Sequence, residues 1–174
     1  MQKTLLALAL MLPLSCFAAK ASDASKPEVA SPFTAERNKA AGNLSTSLVV
    51  MQKMAKNCKI EQTEGLINSA TKGYIERNKA YLGMHYGYVT AFLDYVKETA
   101  GADEAKKISG ELLKANNDQS NKIIEDMTKK DGPTKACQRY FTYLAAGEMD
   151  IKKGSPDFKT LNDMLNFANS QKVK

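Results

Sequence analysis

The chain has no tryptophan and only one histidine, His85, among its 174 residues. Most hydrolytic nucleophiles need a histidine beside them, and zinc sites need several histidines, cysteines or carboxylates close together. The attachment motif of covalent haem, C-x-x-C-H, is also absent. The sequence therefore predicts a protein that is not an enzyme, with no catalytic residues, no metal site and no cofactor.

Long apolar runs are equally scarce. The one clear run follows Lys3 and covers residues 4–14, which is too short for a bilayer span of about 20 residues. A basic start, a short apolar stretch and small residues after it are typical of a secretory signal peptide. We predict such a peptide over residues 1–21, with cleavage after Ala18 as the alternative to cleavage after Ala21. Export to the periplasm of a Gram-negative bacterium follows from it.

Cys16 allows a second interpretation of the leader. Leu14, Ser15 and Cys16 partly fit a lipoprotein acylation site, although Pro13 stands where such sites prefer an aliphatic residue. The alternative location is thus that of a lipoprotein anchored through Cys16, and without acylation no stable membrane insertion is expected.

The remainder is predicted to be a short tether and one domain. Residues 22–32 are small, polar and proline-bearing, which is typical of a flexible linker, and residues 33–174 can form a single domain. Loss of Lys3 and Lys20 with the signal lowers the formal charge from +6 to +4. Such a modest, scattered excess in an exported protein predicts no nucleic-acid partner. Lys129, Lys130 and Lys135 form a basic corner that we expect to be solvated.

Helical periodicity covers almost the whole domain, and strand-like alternation is absent. The predicted helices cover residues 34–57, 63–99 and 104–130, then a fourth from Thr134 with an apolar seam reaching Ile151, and a short final helix from about Phe158. The polar stretch NNDQSN, residues 116–121, indicates either a break in the third helix or a polar layer within it. The pentamer ERNKA occurs at residues 36–40 and 76–80, and we interpret the repetition as coincidence, or as a shared preference for solvated helix turns, rather than as a duplication.

The second helix carries a tyrosine every seven residues. Its stripes consist of the tyrosines Tyr74, Tyr81, Tyr88 and Tyr95 and of the small residues Ala80, Gly83, Gly87 and Ala91. Tyrosines at this spacing are typical of a core with hydroxyls at a wet edge, and the alternative is a face that stacks on a ligand. Because residues 80–93 contain no charge, we expect this helix to be embedded among the others.

Two cysteines other than the one in the leader, Cys58 and Cys137, should pair in an oxidising compartment. In an up-down-up-down bundle, the end of the first helix and the start of the fourth lie at the same end, and these helices are neighbours. The cysteines occupy those two places. The sequence therefore predicts an all-α, up-down-up-down four-helix-type bundle with a short fifth C-terminal helix and one disulfide.

This topology places His85 near the level of Asn116 on the third helix. We predict one polar layer that contains His85, Asn116, Gln119 and Glu148, with Tyr81 and Tyr88 above and below it. The layer is expected to be a hydrogen-bonded structural element, with a small-ligand pocket as the alternative.

The segment GYVTAFLD, Gly87 to Asp94, resembles the glycine–tyrosine–aliphatic segment, ending in an acid, of small helical periplasmic immunity proteins. Members of that family neutralise amidase effectors of type VI secretion, and they are helical and contain disulfides. This chain has Tyr86 where the family has a cysteine before the glycine, and Ala91 where the family favours glycine. The resemblance implies a protein partner but assigns an inhibitory role to no residue.

These observations together predict an exported, non-enzymatic protein that binds another protein, with an immunity protein against a secreted effector as the most specific version. The alternative is a periplasmic carrier or sensor of a small ligand, with a pocket around His85 and the tyrosine stripe.

Overall fold

The computed structural model describes residues 31–58 and 64–171, and this part of the chain consists of five α-helices without a strand. They are α1 (Ala35–Asn57), α2 (Glu64–Ala100), α3 (Ala102–Asp131), α4 (Pro133–Ala145) and α5 (Phe158–Gln171). The all-α prediction is confirmed. The predicted signal peptide at residues 1–21, the acylation site at Cys16 and all but the last two residues of the predicted linker lie outside the described residues.

Local sequence signals explain where the helices begin and end. The Thr34 hydroxyl accepts a hydrogen bond from the Arg37 backbone N–H at 3.2 Å and so caps α1. Gly132 separates α3 from α4 with φ +74°, a conformation that costs glycine little, and Pro133 then opens α4. The stretch NNDQSN lies inside the continuous helix α3, so the helix does not break there.

The fourth helix is shorter than predicted. It ends at Ala145, and Ile151 lies in the loop of residues 146–157 rather than on a helical seam. Gly147, with φ +72°, takes the chain out of the helix just after α4 ends. The helix therefore covers only part of α2, and α5 follows after the loop.

Two clusters of apolar side chains form the core. The first cluster joins the C-terminal half of α1, the start of α2 and α4, through Val50, Met51, Met54, Ile67, Ala70, Tyr74, Tyr140, Phe141 and Leu144. The second cluster joins the first half of α1, the middle of α2 and α5, through Ala40, Ala41, Leu44, Met84, Leu161 and Met164. The short helices α4 and α5 thus bury successive parts of α1 and α2.

The disulfide predicted between Cys58 and Cys137 is present, with the two Cα atoms 5.8 Å apart. Helix α1 packs most extensively against α3, and α2 packs most extensively against α4. The partners of Thr46 and Lys53 on α3 are Asn116 and Ser120 respectively, which shows that α1 and α3 run parallel where they touch.

Helix α2 is not embedded over its whole length, and that prediction was wrong. Tyr86 has 75% of its surface exposed, and the small residues Gly83, Gly87 and Ala91 are exposed as well. One side of the uncharged stretch is therefore a surface poor in charge, whereas Met84 on its other side belongs to the second core cluster. Among the described residues, no helix is both long and apolar enough to span a membrane.

Candidate functional site

His85 points from α2 onto α1. Its Nε2 atom lies 2.8 Å from the Ser45 hydroxyl and 3.1 Å from the Ala41 carbonyl oxygen. In one tautomer the ring N–H donates to the Ala41 carbonyl, and in the other the Ser45 hydroxyl donates to the ring. The Nε2 nitrogen that faces α1 therefore has a partner within the protein in either tautomer.

Burial lowers the pKa of His85 below its ordinary value of 6.5, although the hydrogen bond to Ala41 acts in the opposite direction.

This lowered pKa predicts a loss of stability in mild acid. The unfolded chain takes up a proton on His85 at a higher pH than the folded protein does. The free energy of unfolding is therefore greatest above about pH 6.5 and falls as the pH decreases through the folded-state pKa. Urea unfolding between about pH 7.5 and about pH 5.5 measures this slope. Because His85 is the only histidine, His85→Gln should remove most of the slope, and an equal slope in both proteins would contradict the assignment.

The tyrosines that flank His85 have partners of their own. The Tyr81 hydroxyl donates to Asn162 on α5 at 3.3 Å, and the Tyr88 hydroxyl donates to Asn38 on α1 at 2.8 Å. Tyr88 also packs edge-on against Phe33, with ring centroids 5.4 Å apart. Tyr81 and Tyr88 thus connect α2 to α5 and α1 through their hydroxyl groups.

The predicted polar layer is divided into separate groups in the structure. The Thr46 hydroxyl lies 3.1 Å from the Asn116 side-chain oxygen and 3.3 Å from that of Gln119, on the face of α1 that meets α3. His85 bonds to Ser45 instead, and neighbouring residues on a helix point about 100° apart. Glu148 is exposed in the loop after α4, where its backbone N–H donates to Tyr143 at 3.0 Å. Helix α1 therefore separates His85 from Asn116 and Gln119.

A polar network not predicted from the sequence fixes the loop of residues 146–157 to α2. Asn78, with 2% of its surface exposed, donates to Tyr74 O at 2.8 Å and to Asp150 Oδ1 at 3.1 Å, and it accepts from the Ile151 N–H at 2.8 Å. Arg77 Nε donates to Asp150 Oδ2 at 2.7 Å. Arg77 and Asn78 belong to the second ERNKA pentamer, in which Asn78 is buried and the other four residues are exposed.

Asp150 is held ionised by this network. Burial by itself raises the pKa of the carboxyl, but the hydrogen bonds from Arg77 and Asn78 and the charges of Arg77 and Lys152 outweigh it. The pKa of Asp150 therefore lies below its ordinary value of 3.8. The network therefore holds the loop of residues 146–157 against α2, and Asp150 remains ionised in it at neutral pH.

The conformation of this loop also requires glycine at position 147. Its φ of +72° is unfavourable for other residues, and an added Cβ would lie 2.8 Å from Asp150 Oδ2. We expect Gly147→Ala to lower the free energy of unfolding by about 2 kcal/mol. Urea denaturation measures the change, and Gly42→Ala is the matched control because it lies within α1 with open space around it. Equal stabilities for the two variants would contradict this prediction.

The distal parts of α2 and α3 form an exposed hairpin, called here the hairpin arm (residues 85–119). Val96 is its only buried residue. Large apolar side chains on it face solvent, with exposed fractions of 75% for Tyr86, 62% for Leu113, 46% for Tyr95 and 39% for Leu112. Exposed apolar groups collected on one element are typical of protein interaction sites.

Two of the cavities formed by the described residues lie outside the hairpin arm or at its base. A groove of about 440 Å³ between α2 and α5 is lined by the exposed small residues of α2 together with Met84, Tyr88 and Phe167. A trough of about 510 Å³ lies between α1, α3 and α4 and is lined mainly by Val50, Ile123, Met127, Tyr140, Tyr143 and Met149. Volumes of this size are common for small-molecule sites.

The described part of the chain contains no group of three histidine, cysteine, aspartate or glutamate side chains placed to hold a metal ion. No protein-family profile matches the sequence, and neither curated proteins nor solved structures provide a significant match.

Proposed function

We propose that this chain is an exported, non-enzymatic protein that binds another protein through its hairpin arm. The observation that carries the proposal is the exposure of Tyr86, Leu112 and Leu113 on one hairpin. Leaving such side chains in water gains nothing for the fold, whereas burying tyrosine and leucine against a partner contributes strongly to binding. The periplasm is the proposed location, with an anchor through Cys16 as the alternative.

A rigid scaffold behind the arm supports this proposal. We further propose that the helices form an up-down-up-down bundle in which α4 and α5 together take the fourth position. The contacts of Asn38 with Tyr88 and of Ser45 with His85 support antiparallel α1 and α2, since one residue number rises as the other falls. The disulfide cross-links the bundle at the end opposite the hairpin arm. Because the arm consists of helices on this cross-linked bundle, binding a partner need not order a flexible segment.

In its most specific version, the partner is a secreted amidase effector and this chain is its immunity protein. The segment that resembles such immunity proteins, Gly87 to Asp94, lies on α2 at the base of the hairpin arm. Gly87, Ala91 and Asp94 are exposed there. The resemblance and the exposed apolar residues therefore lie on the same hairpin, which supports assigning the partner to the hairpin arm.

A capture experiment with matched variants tests the proposal. The processed chain, with its disulfide intact, would be used as bait in periplasmic extracts, beside Leu113→Asp in the arm and Ile75→Asp outside it. Each substitution replaces an exposed apolar side chain with a negatively charged one. We expect one stoichiometric protein with the parent chain and with Ile75→Asp, and at least tenfold less of it with Leu113→Asp.

If this chain is an immunity protein, the captured protein must also have amidase activity that this chain inhibits. It should hydrolyse peptidoglycan amide bonds, and one equivalent of this chain should abolish that activity. A captured protein that binds Leu113→Asp as well as the parent chain would contradict the role of the arm. A captured protein without amidase activity would contradict the immunity version alone.

The alternative function, a small-ligand carrier or sensor, has one observation in its favour. The groove of about 440 Å³ between α2 and α5 includes Tyr88 of the tyrosine stripe, next to the exposed glycines. Thermal-shift measurements with a panel of metabolites and metal ions test it. A ligand that raises the melting temperature of the parent chain but not of Tyr88→Phe would support this function; His85 is not among the residues that line the groove.

A further inference from the structure

We propose that the trough between α1, α3 and α4 binds an amphiphilic monocarboxylate, that is, a small molecule with an extended apolar body and a single carboxylate. The trough shares no lining residue with the hairpin arm. This inference therefore goes beyond the proposed function, and its failure would leave the protein partner untouched.

Exposed apolar side chains within the trough are the first argument. Ile123, Tyr143 and Met149 retain 37%, 44% and 38% exposure although they border the packed core. Val50 and Tyr140 beneath them are buried members of the first core cluster. A concave surface with an apolar floor and apolar walls favours an occupant that is itself mainly apolar.

The dimensions favour an extended chain of moderate length. Ile123, Met127 and Lys130 follow one another along the α3 wall, and seven residues of helix correspond to about 10 Å. Beyond Ile123 the trough borders a further cavity of about 300 Å³, which shares Ser47, Ile123, Tyr140 and Met149 with it but is also lined by Asp150 and Asp157. An acyl chain of moderate length can therefore lie along the trough itself, whose own lining contains no carboxylate.

The charged residues at the Lys130 end of the trough indicate which polar group the ligand carries. Lys130 and Arg139 are the only charged residues in the lining. Arg139 forms an ion pair with Asp131, whereas Lys130 makes no ion pair within the described part of the chain. One uncompensated positive charge beside an apolar slot complements one negative charge, so a single carboxylate fits better than a cation or a dianion.

Calorimetric titration of the disulfide-bonded chain with decanoate, and with the uncharged decanol, tests this site. We expect decanoate to bind about fivefold more tightly than decanol. Lys130→Glu should weaken decanoate binding about tenfold and leave decanol binding within a factor of about two. Ile123→Glu should weaken the binding of both. Lys114→Glu and Leu113→Glu are the controls, because they make the same changes on α3 outside the trough.

The proposal fails if the parent chain binds no decanoate at millimolar concentration. It also fails if decanoate and decanol bind equally, or if Lys130→Glu binds decanoate as well as Lys114→Glu does. A protein partner whose capture is lost in Ile123→Glu but kept in Leu113→Glu, without decanoate binding, would assign the trough to a protein and overturn the proposal. Tyr143→Glu in α4 gives a second blocking variant if Ile123→Glu does not fold.

Discussion

Reduction of the Cys58–Cys137 disulfide should lower the free energy of unfolding by about 4.5 kcal/mol. The estimate follows from chain entropy, because the bond closes a loop with a sequence separation of 79 and so restricts the unfolded chain. The bond joins the end of α1 to the first turns of α4, so its effect should appear in the unfolding equilibrium of the whole domain. Urea denaturation with and without a reductant measures it.

Reduction is the informative comparison because it keeps both sulfur atoms in place. Cys58 retains only 4% exposure, so a double Cys→Ala variant would add the loss of packing to the loss of the cross-link. That variant should therefore be less stable than the reduced parent chain. A reduced protein within about 1 kcal/mol of the oxidised one would show that the unfolded chain is already compact without the bond.

Asn78→Ala should lower the free energy of unfolding by about 3 kcal/mol. The side chain makes three hydrogen bonds in a buried position, and its removal leaves the Ile151 N–H without its acceptor. A buried donor without a partner costs about 1 to 3 kcal/mol, and Asp150 loses one of its donors as well. Chemical denaturation at neutral pH provides the measurement.

Asn43→Ala is the matched control for this prediction. Asn43 also donates to an aspartate of the same loop, Asp157, at 2.7 Å, but it makes this single contact in a half-buried place. We expect a loss of about 1 kcal/mol there. Similar decreases in the free energy of unfolding for both variants would mean that any lost contact with this loop has the same effect. The buried network of Asn78 would then have no special role.

The number of helices and the limits of the first three could be predicted well from the sequence, whereas the end of the fourth could not. The periodicity placed α1 at residues 34–57 and α2 at residues 63–99, within one residue of the structure. Glycine, proline and capping residues act locally, so their effect can be seen without knowing the fold. The cysteine pairing was also predictable, since only two cysteines remain beyond the leader.

Burial was harder to predict, because periodicity does not show whether an apolar stripe has a partner. The uncharged stretch of α2 gives the same pattern whether it is covered by another helix or left at the surface. The division of the polar layer has a similar cause. Ser45 and Thr46 are adjacent in sequence but face different helices, and only the packing of α1 against both neighbours reveals which polar groups meet.

The position of α5 relative to the disulfide has a consequence for how the domain opens. The covalent loop closed by Cys58 and Cys137 contains α2, α3 and the start of α4, whereas α5 lies beyond it and packs mainly on α1 and α2. Helix α5 can therefore detach as a separate cooperative unit while the cross-linked remainder stays folded. Its amide hydrogens should exchange through such partial opening, at rates that reduction of the disulfide leaves unchanged. Detachment of α5 would uncover Ala40, Leu44 and Met84 before any other part of the core.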